Sequence, residues 1–238
     1  MTERGDFAEA RRAISFSFEH RTSLCDPFLS IVPVSGAAIS FLGSVSAQST
    51  ICASDSMAAH LDELQFDLGE GPCWQAMNSR RPGIYDDIQS VNHPEWPAFA
   101  EAIRGGAVGA MFAFPLTVGS LEIGAVDLYS TSPTGLTASQ ISHVSALAHL
   151  ASWQVLRRIL ADQDDPDGGG SPYSRREVHQ ATGMIVAQLD ISAADAALLL
   201  KAHAFSSGRS AREISHEVVE RTLSFAEPPT HNQTNSGL

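Results

Sequence analysis

Residues 162–172, DQDDPDGGGSP, limit what this chain can fold into more than any other stretch, because they offer a core nothing to bury. Four aspartates, three glycines and two prolines interrupt the apolar periodicity on both sides, which is the composition of a flexible linker. The chain is therefore expected to form two separate bodies. The first, at 10–160, is long enough for a substantial core, since 43% of the 238 residues are hydrophobic. The second, at 172–225, is a small unit, with the linker at 161–171. A polar segment with two prolines, 226–238, is expected to be a disordered tail.

The division changes the meaning of the charge. A net charge of −12 argues against a protein that coats nucleic acid or an anionic membrane by bulk electrostatics. Residues 1–171, however, hold 9 basic and 20 acidic side chains, whereas 172–225 hold six of each. The acidity belongs to the first body. Lys201 is the one lysine, so an anion would meet mainly planar guanidinium groups. Three cysteines, Cys25, Cys52 and Cys73, form no CxxC pair, which excludes a disulfide framework and a four-thiolate zinc site. This usage, with an N-terminus lacking the apolar core of a signal peptide, leads us to expect a cytoplasmic protein.

Along the first body the spacing predicts a helix within 7–29 and strands at 36–42 and 45–53 joined as a hairpin across Gly43-Ser44. A helix opens at Pro72 after the turn Gly69-Glu70-Gly71, and 83–85 is a short strand. A helix follows at 97–104, then two core strands at 107–115 and 122–129. Apolar residues at intervals of three and four, from Ile141 to Ile159, predict a long amphipathic helix over 138–160 capped by Thr137. This is an α+β unit with a mainly antiparallel sheet and flanking helices. The order of elements, with LQFDLGEGPCWQA (64–76), RPGIYDDI (81–88) and GAMFAFPLTVGSLEIGAVDLY (109–129), resembles a GAF sensory domain over residues 10–160. That resemblance implies a module that receives a signal or dimerises, with a small-molecule ligand of unknown identity in its pocket.

In the second body, Ser174, Ser192 and Ser210 each stand three residues before an acid, the pattern of a helix start. Three helices follow. Their apolar stripes are Val178, Ala181, Ile185 and Leu189; Ala196, Leu199, Leu200 and Ala204; and Ala211, Ile214, Val218 and Phe225. The segments VHQATGMI (178–185), 196–205 and 214–219 make this body resemble the ANTAR domain, a three-helix RNA-binding module of transcription antitermination regulators. The pair of modules resembles the GAF-ANTAR regulators of actinobacteria. The resemblance implies binding of paired hairpins in leader transcripts by a homodimer. It points to Arg175, Arg176, Gln180, Thr182, Gly183, Lys201, His203, Arg209 and Arg212 as the RNA-binding set. Thr182 stands where the family most often has Lys or Arg, which removes a phosphate contact. These basic residues equally suit an ordinary solvated surface paired with Glu177, Asp195, Glu213 and Glu217, and Gly183 equally suits a packing contact inside the bundle.

Other candidates are weaker. Cys73, in the first turn of a helix, suits either a redox-sensitive thiol or a buried inert one. His93 and His149 are candidate haem ligands or plain core and surface residues, and no HxxxH or HExxH motif suggests a metal. Asp86-Asp87 suits a carboxylate pair or a turn. No nucleophile elbow or Walker-type loop is present, so no enzyme and no cofactor are expected. The leading expectation is a signal-responsive antitermination regulator. The alternatives are a ligand-sensing module whose bundle docks a protein partner and, third, a cysteine-dependent reductase of oxidised methionine.

Overall fold

Side-chain alternation in strands of nearly continuous apolar sequence requires a layer of helices on each face of the sheet. The computed structural model describes residues 3–43, 48–90, 92–164 and 175–226. In it β1 (Gly36–Leu42), β2 (Gln48–Ala53), β3 (Gly83–Tyr85), β4 (Ala110–Val118) and β5 (Leu121–Ser130) form one antiparallel sheet of order β2-β1-β5-β4-β3. Ala110, Phe112, Phe114 and Leu116 point to one face together with Ile39, Val126 and Leu128. There they meet α1 (Glu3–His20), α2 (Asp26–Leu29) and α6 (Ala138–Asp164). Met111, Tyr129 and Ala38 point to the other face, covered by α3 (Ser56–Leu68), α4 (Pro72–Ser79) and α5 (Pro97–Ile103). At Gly124 a Cβ would lie 1.8 Å from the Ser40 carbonyl oxygen, so only glycine lets β5 pass β1 there.

The hairpin strands pair as expected, although residues 44–47 of the turn lie outside the described residues. Several expectations are corrected. The helix placed over 7–29 is two helices. Arg21 takes a left-handed backbone (φ 50°), and Ser23 then accepts hydrogen bonds from the amides of Cys25 and Asp26 to open α2. The helix α3 was not expected at all. Its buried positions, Ala58, Leu61, Asp62, Gln65 and Phe66, follow helical spacing faithfully, but two of them are polar. The long helix α6 runs on to Asp164, so 161–164 are helical, and 165–171 of the linker lie outside the described residues. Its cap is reciprocal: the Gln140 amide donates to Thr137 Oγ1, and the Thr137 amide to Gln140 Oε1. Among the described residues no single helix is long and apolar enough to cross a membrane.

The second unit, from Arg175 onward, is described by itself. It consists of α7 (Arg176–Leu189), α8 (Ala193–Ser207) and α9 (Ala211–Val219), packed around Val178, Ala181, Ile185, Ala196, Leu200, Ala204, Ile214 and Val218. Ser192 caps α8 through the Asp195 amide, and Ser210 with Glu213 forms a complete capping box on α9. Ser174 lies outside the described residues, and Arg175 occupies the cap position of α7 without a side-chain cap. Two stripe positions differ from expectation. Leu199 is 39% exposed, and Phe225 lies beyond α9, returning to the bundle through its amide, which donates to Gln188 Oε1.

The cysteine expectation is also overturned: Cys25, ahead of α2, and Cys52, on the edge strand β2, form a disulfide across 27 residues. Pairing is set by the topology, which brings two distant segments together, and no CxxC spacing is needed. The cysteine count therefore carries no argument for a reducing compartment. Closing a loop of this length contributes about 3.5 kcal/mol in the chain-entropy account. Reduction by dithiothreitol, or Cys52→Ser, should destabilise the first unit by about that amount in urea melts. The native oxidised chain should titrate with one thiol per molecule after unfolding, and three after reduction.

Candidate functional site

The sheet face under α3 and α4 carries a buried polar network. Asp62 and Gln65 lie one turn apart on α3 and point inward, and Asp127 lies on the same face from β5. The hydroxyls of Ser40 and Thr50, on β1 and β2, donate to the two oxygens of Asp62. Gln65 commits both ends of its amide: Nε2 donates to Asp127 Oδ2 at 2.6 Å, and Oε1 accepts from the Cys73 amide at 2.9 Å. Its backbone carbonyl accepts from the Trp74 indole at 2.9 Å. Gly71, at φ 132°, brings the chain so close that a Cβ would meet the Gln65 side chain at 2.6 Å.

The rest of LGEGPCWQ is equally structural. Gly69 ends α3 in the left-handed conformation, and Pro72 opens α4. Glu70 Oε1 accepts from the Phe99 amide at 2.8 Å, fastening the start of α5. Gln75 Oε1 accepts from both the Tyr85 hydroxyl and the Trp96 indole at 2.7 Å. Gln65, Glu70 and Gln75 were not singled out from sequence. Nothing but their place beside paired glycines distinguishes them from surface polar residues.

Two carboxyls in one dry network cannot both ionise cheaply. Burial first, and then the charge of Asp62, raises Asp127 to about 8, while the Gln65 hydrogen bond opposes the shift. Asp127 Oδ1 has no hydrogen-bond partner among the described residues. Asp127 also borders a cavity of about 10 Å³, walled by Ala38, Ala58, Leu61, Met111, Leu128 and Tyr129, with room for about one water. Cys73 is fully buried, and burial followed by the charges of Asp127 and Asp62 pushes its thiol well above the ordinary range. The helix start does not offset this, so the redox reading of Cys73 is set aside in favour of the inert one. His93 is buried, stacks on Trp96 at 3.9 Å and shares a hydrogen bond with the Ile88 carbonyl; His149 is exposed on α6. Neither is placed as a ligand in a pocket, and no group of three metal-ligating side chains occurs among the described residues. Asp86-Asp87 lies in a turn.

In the bundle, the expected RNA-binding residues are distributed unevenly. Arg176, Gln180 and Gly183 are exposed on one side of α7, at intervals of four and three. A Cβ on Gly183 would meet nothing within 4 Å, so the packing reading of that glycine is set aside. Thr182 is half-buried and returns its hydroxyl to the Val178 carbonyl. Arg175 is only 4% exposed, which removes it from a solvent-facing set. Arg209 pairs with Glu217 at 2.9 Å, the solvated-surface reading for this residue. His203 lays its ring against Phe225, and Lys201 and Arg212 are half-buried. The structure thus gathers Arg176, Gln180 and Gly183, and does not bring all nine residues to one exposed face. Sequence reasoning missed Arg221, the sixth Arg or Lys of the bundle, which is exposed with a left-handed backbone (φ 60°).

The raised Asp127 sets a pH dependence. Between about pH 4 and about pH 8 the folded chain keeps a proton that the unfolded chain has lost, so stability falls as pH rises through that window and levels off above it. Asp127→Asn keeps the acceptor for Gln65 and removes the charge. Urea melts from pH 5 to pH 9 should show a flatter profile for the variant and a higher midpoint than the parent at pH 9.

Comparison with known proteins bears on the first unit. Its fold is similar to the GAF domain of a phosphoenolpyruvate-protein phosphotransferase from Coxiella burnetii (TM-score 0.52, 11% identity, covering 68% of this chain and 99% of that one). It is also similar to the corresponding domain from Acinetobacter (TM-score 0.50, 11% identity, covering 67% and 97%). No curated protein sequence matches the chain. The GAF domain family model matches residues 23–153, more than half of the chain and all five strands. With the sheet order, the helices on both faces and the LGEGPCWQ network in place, the chain belongs to the GAF domain family.

Proposed function

We propose that the protein is a signal-responsive RNA-binding regulator in which the GAF unit governs a C-terminal bundle of ANTAR type that binds hairpins in nascent transcripts and promotes antitermination. The observation that carries this reading is the open side of α7. Glycine inside a helix costs about 1 kcal/mol relative to alanine. Gly183 has no neighbour within the bundle to justify that cost, and it stands between Gln180 and Ala187 on the exposed side. A bare backbone flanked by an arginine and an amide suits close approach of a phosphodiester chain and hydrogen bonding to exposed loop bases. The unit is near neutral, so affinity rests on a structured target and on two bundles acting together.

The homodimer has a candidate surface. Trp153 and Leu160, seven residues apart on one side of α6, are 50% and 53% exposed. A second copy of the chain placed on this face would bury them and join two bundles. A second reading, docking of the bundle on a protein partner, is favoured by Leu198 and Phe205 on α8, which are 66% and 71% exposed.

The two readings separate by salt. A pool of tandem RNA hairpins with randomised loops should bind the full chain at 50 mM salt and lose most of its affinity by 200 mM. Arg176→Ala with Gln180→Ala should weaken binding about tenfold or more, and Gly183→Ala should weaken it while stabilising the bundle by about 1 kcal/mol. No binding at low salt would overturn the RNA reading. Trp153→Glu should convert a dimer to a monomer in sedimentation and reduce affinity for tandem hairpins more than for single ones.

A further inference from the structure

Of the six Arg and Lys side chains in the bundle, five are engaged: Arg209 with Glu217, and Arg175, Arg176, Lys201 and Arg212 in other interactions. Arg221 is the sixth. It is exposed, and its guanidinium has no partner among the described residues. It also closes α9 in the left-handed region, donating its amide to the Val218 carbonyl while the Thr222 and Leu223 amides donate to that of Glu217. The left-handed residue after α8 is Gly208 at φ 65°, a residue that adopts this conformation without strain. An arginine there trades backbone ease for a side chain.

That side chain borders an open groove of about 380 Å³, walled by Met184, Ala187 and Gln188 of α7 and by Leu223 and Ser224. Gln188 Oε1 accepts from the Phe225 amide, which pins the turn after α9 against α7 and leaves the N–H groups of the same amide uncommitted among the described residues. Gly183 lies one turn before Ala187 on the exposed side of α7. The groove therefore combines an apolar wall, an amide and an unpaired cation. An unpaired nucleotide has the matching set: a flat face to cover, a polar edge to hydrogen-bond and a phosphate to neutralise. A free inorganic anion would leave the Met184 and Leu223 wall without a role.

Resting on the RNA-binding reading above, we propose that this groove is a nucleotide-binding site, in which Arg221 takes the phosphate, the base lies against Met184 and Leu223, and Gln188 contacts its edge. The test uses the full chain and the pool of tandem hairpins with randomised loops, with 4-thiouridine in the loops for photocrosslinking. Arg221→Gly should bind about tenfold more weakly, with a salt slope shallower by about one, while melting no lower than the parent; Arg221→Lys should recover part of the affinity. Crosslinks should fall in 184–188 or 221–224. If the parent binds and Arg221→Gly matches it, or the crosslinks lie elsewhere, the site is overturned and RNA binding stands. If the parent does not bind the pool at low salt, both readings fall.

Discussion

The amide of Gln65 is the joint on which the sensor half turns. A glutamine fully removed from water must satisfy both ends of its amide or destabilise the fold. Here one end reaches β5 through Asp127 and the other reaches the first turn of α4 through Cys73. The backbone of the same residue holds Trp74 and closes the end of α3 through Gly69. Three elements are thereby fixed to one side chain, and the glycines of LGEGPCWQ are present because the chain must pass against it. Asp62, one turn away, adds β1 and the edge strand β2 through Ser40 and Thr50. Apolar packing on this face excludes water, and the polar network decides which elements sit where.

This arrangement explains why the two faces of the sheet were unequally legible. Under α1, α2 and α6 the contacts are aliphatic and aromatic, and the intervals from Ile141 to Ile159 announce the helix that provides them. Under α3 the buried stripe keeps helical spacing, but Asp62 and Gln65 occupy two of its positions, so a hydrophobicity pattern is broken where the buried polar network is densest. The paired glycines and Pro72 marked a turn and a helix start from sequence. That Glu70, Gln75 and Gln65 reach Phe99, Tyr85, Trp96 and Asp127 is a matter of tertiary proximity, which spacing does not encode. The Cys25–Cys52 bond has the same origin.

The bundle shows the converse limit. The starts of α8 and α9 were legible because capping is local: Ser192 and Ser210 act three residues away. Which basic side chains face solvent was not legible, because that depends on the neighbouring helix. Arg175 is buried and Arg209 is neutralised by Glu217, eight residues on, so the two arginines most favoured by their positions at helix starts are the least available. Arg221 carried no such positional signal. Its left-handed backbone and its place beside a groove emerge only when α9 ends and the chain turns back onto α7.

Residues that weaken a small fold without a packing reason narrow the search for its partner surface. A unit of three short helices has little stability to spare. Gly183 in mid-helix and Arg221 at a position suited to glycine each draw on that reserve, and both lie on the side formed by the exposed face of α7 and the turn after α9. Leu198 and Phe205 expose apolar surface on α8, whose solvation is also unfavourable, but they bring no charge to neutralise a phosphate. The two surfaces therefore differ in chemistry: one is suited to a polyanion with exposed bases, the other to an apolar face. A bundle that used both would bind RNA on one side while its apolar helix remained free for a second contact, and only the first contact would respond steeply to salt.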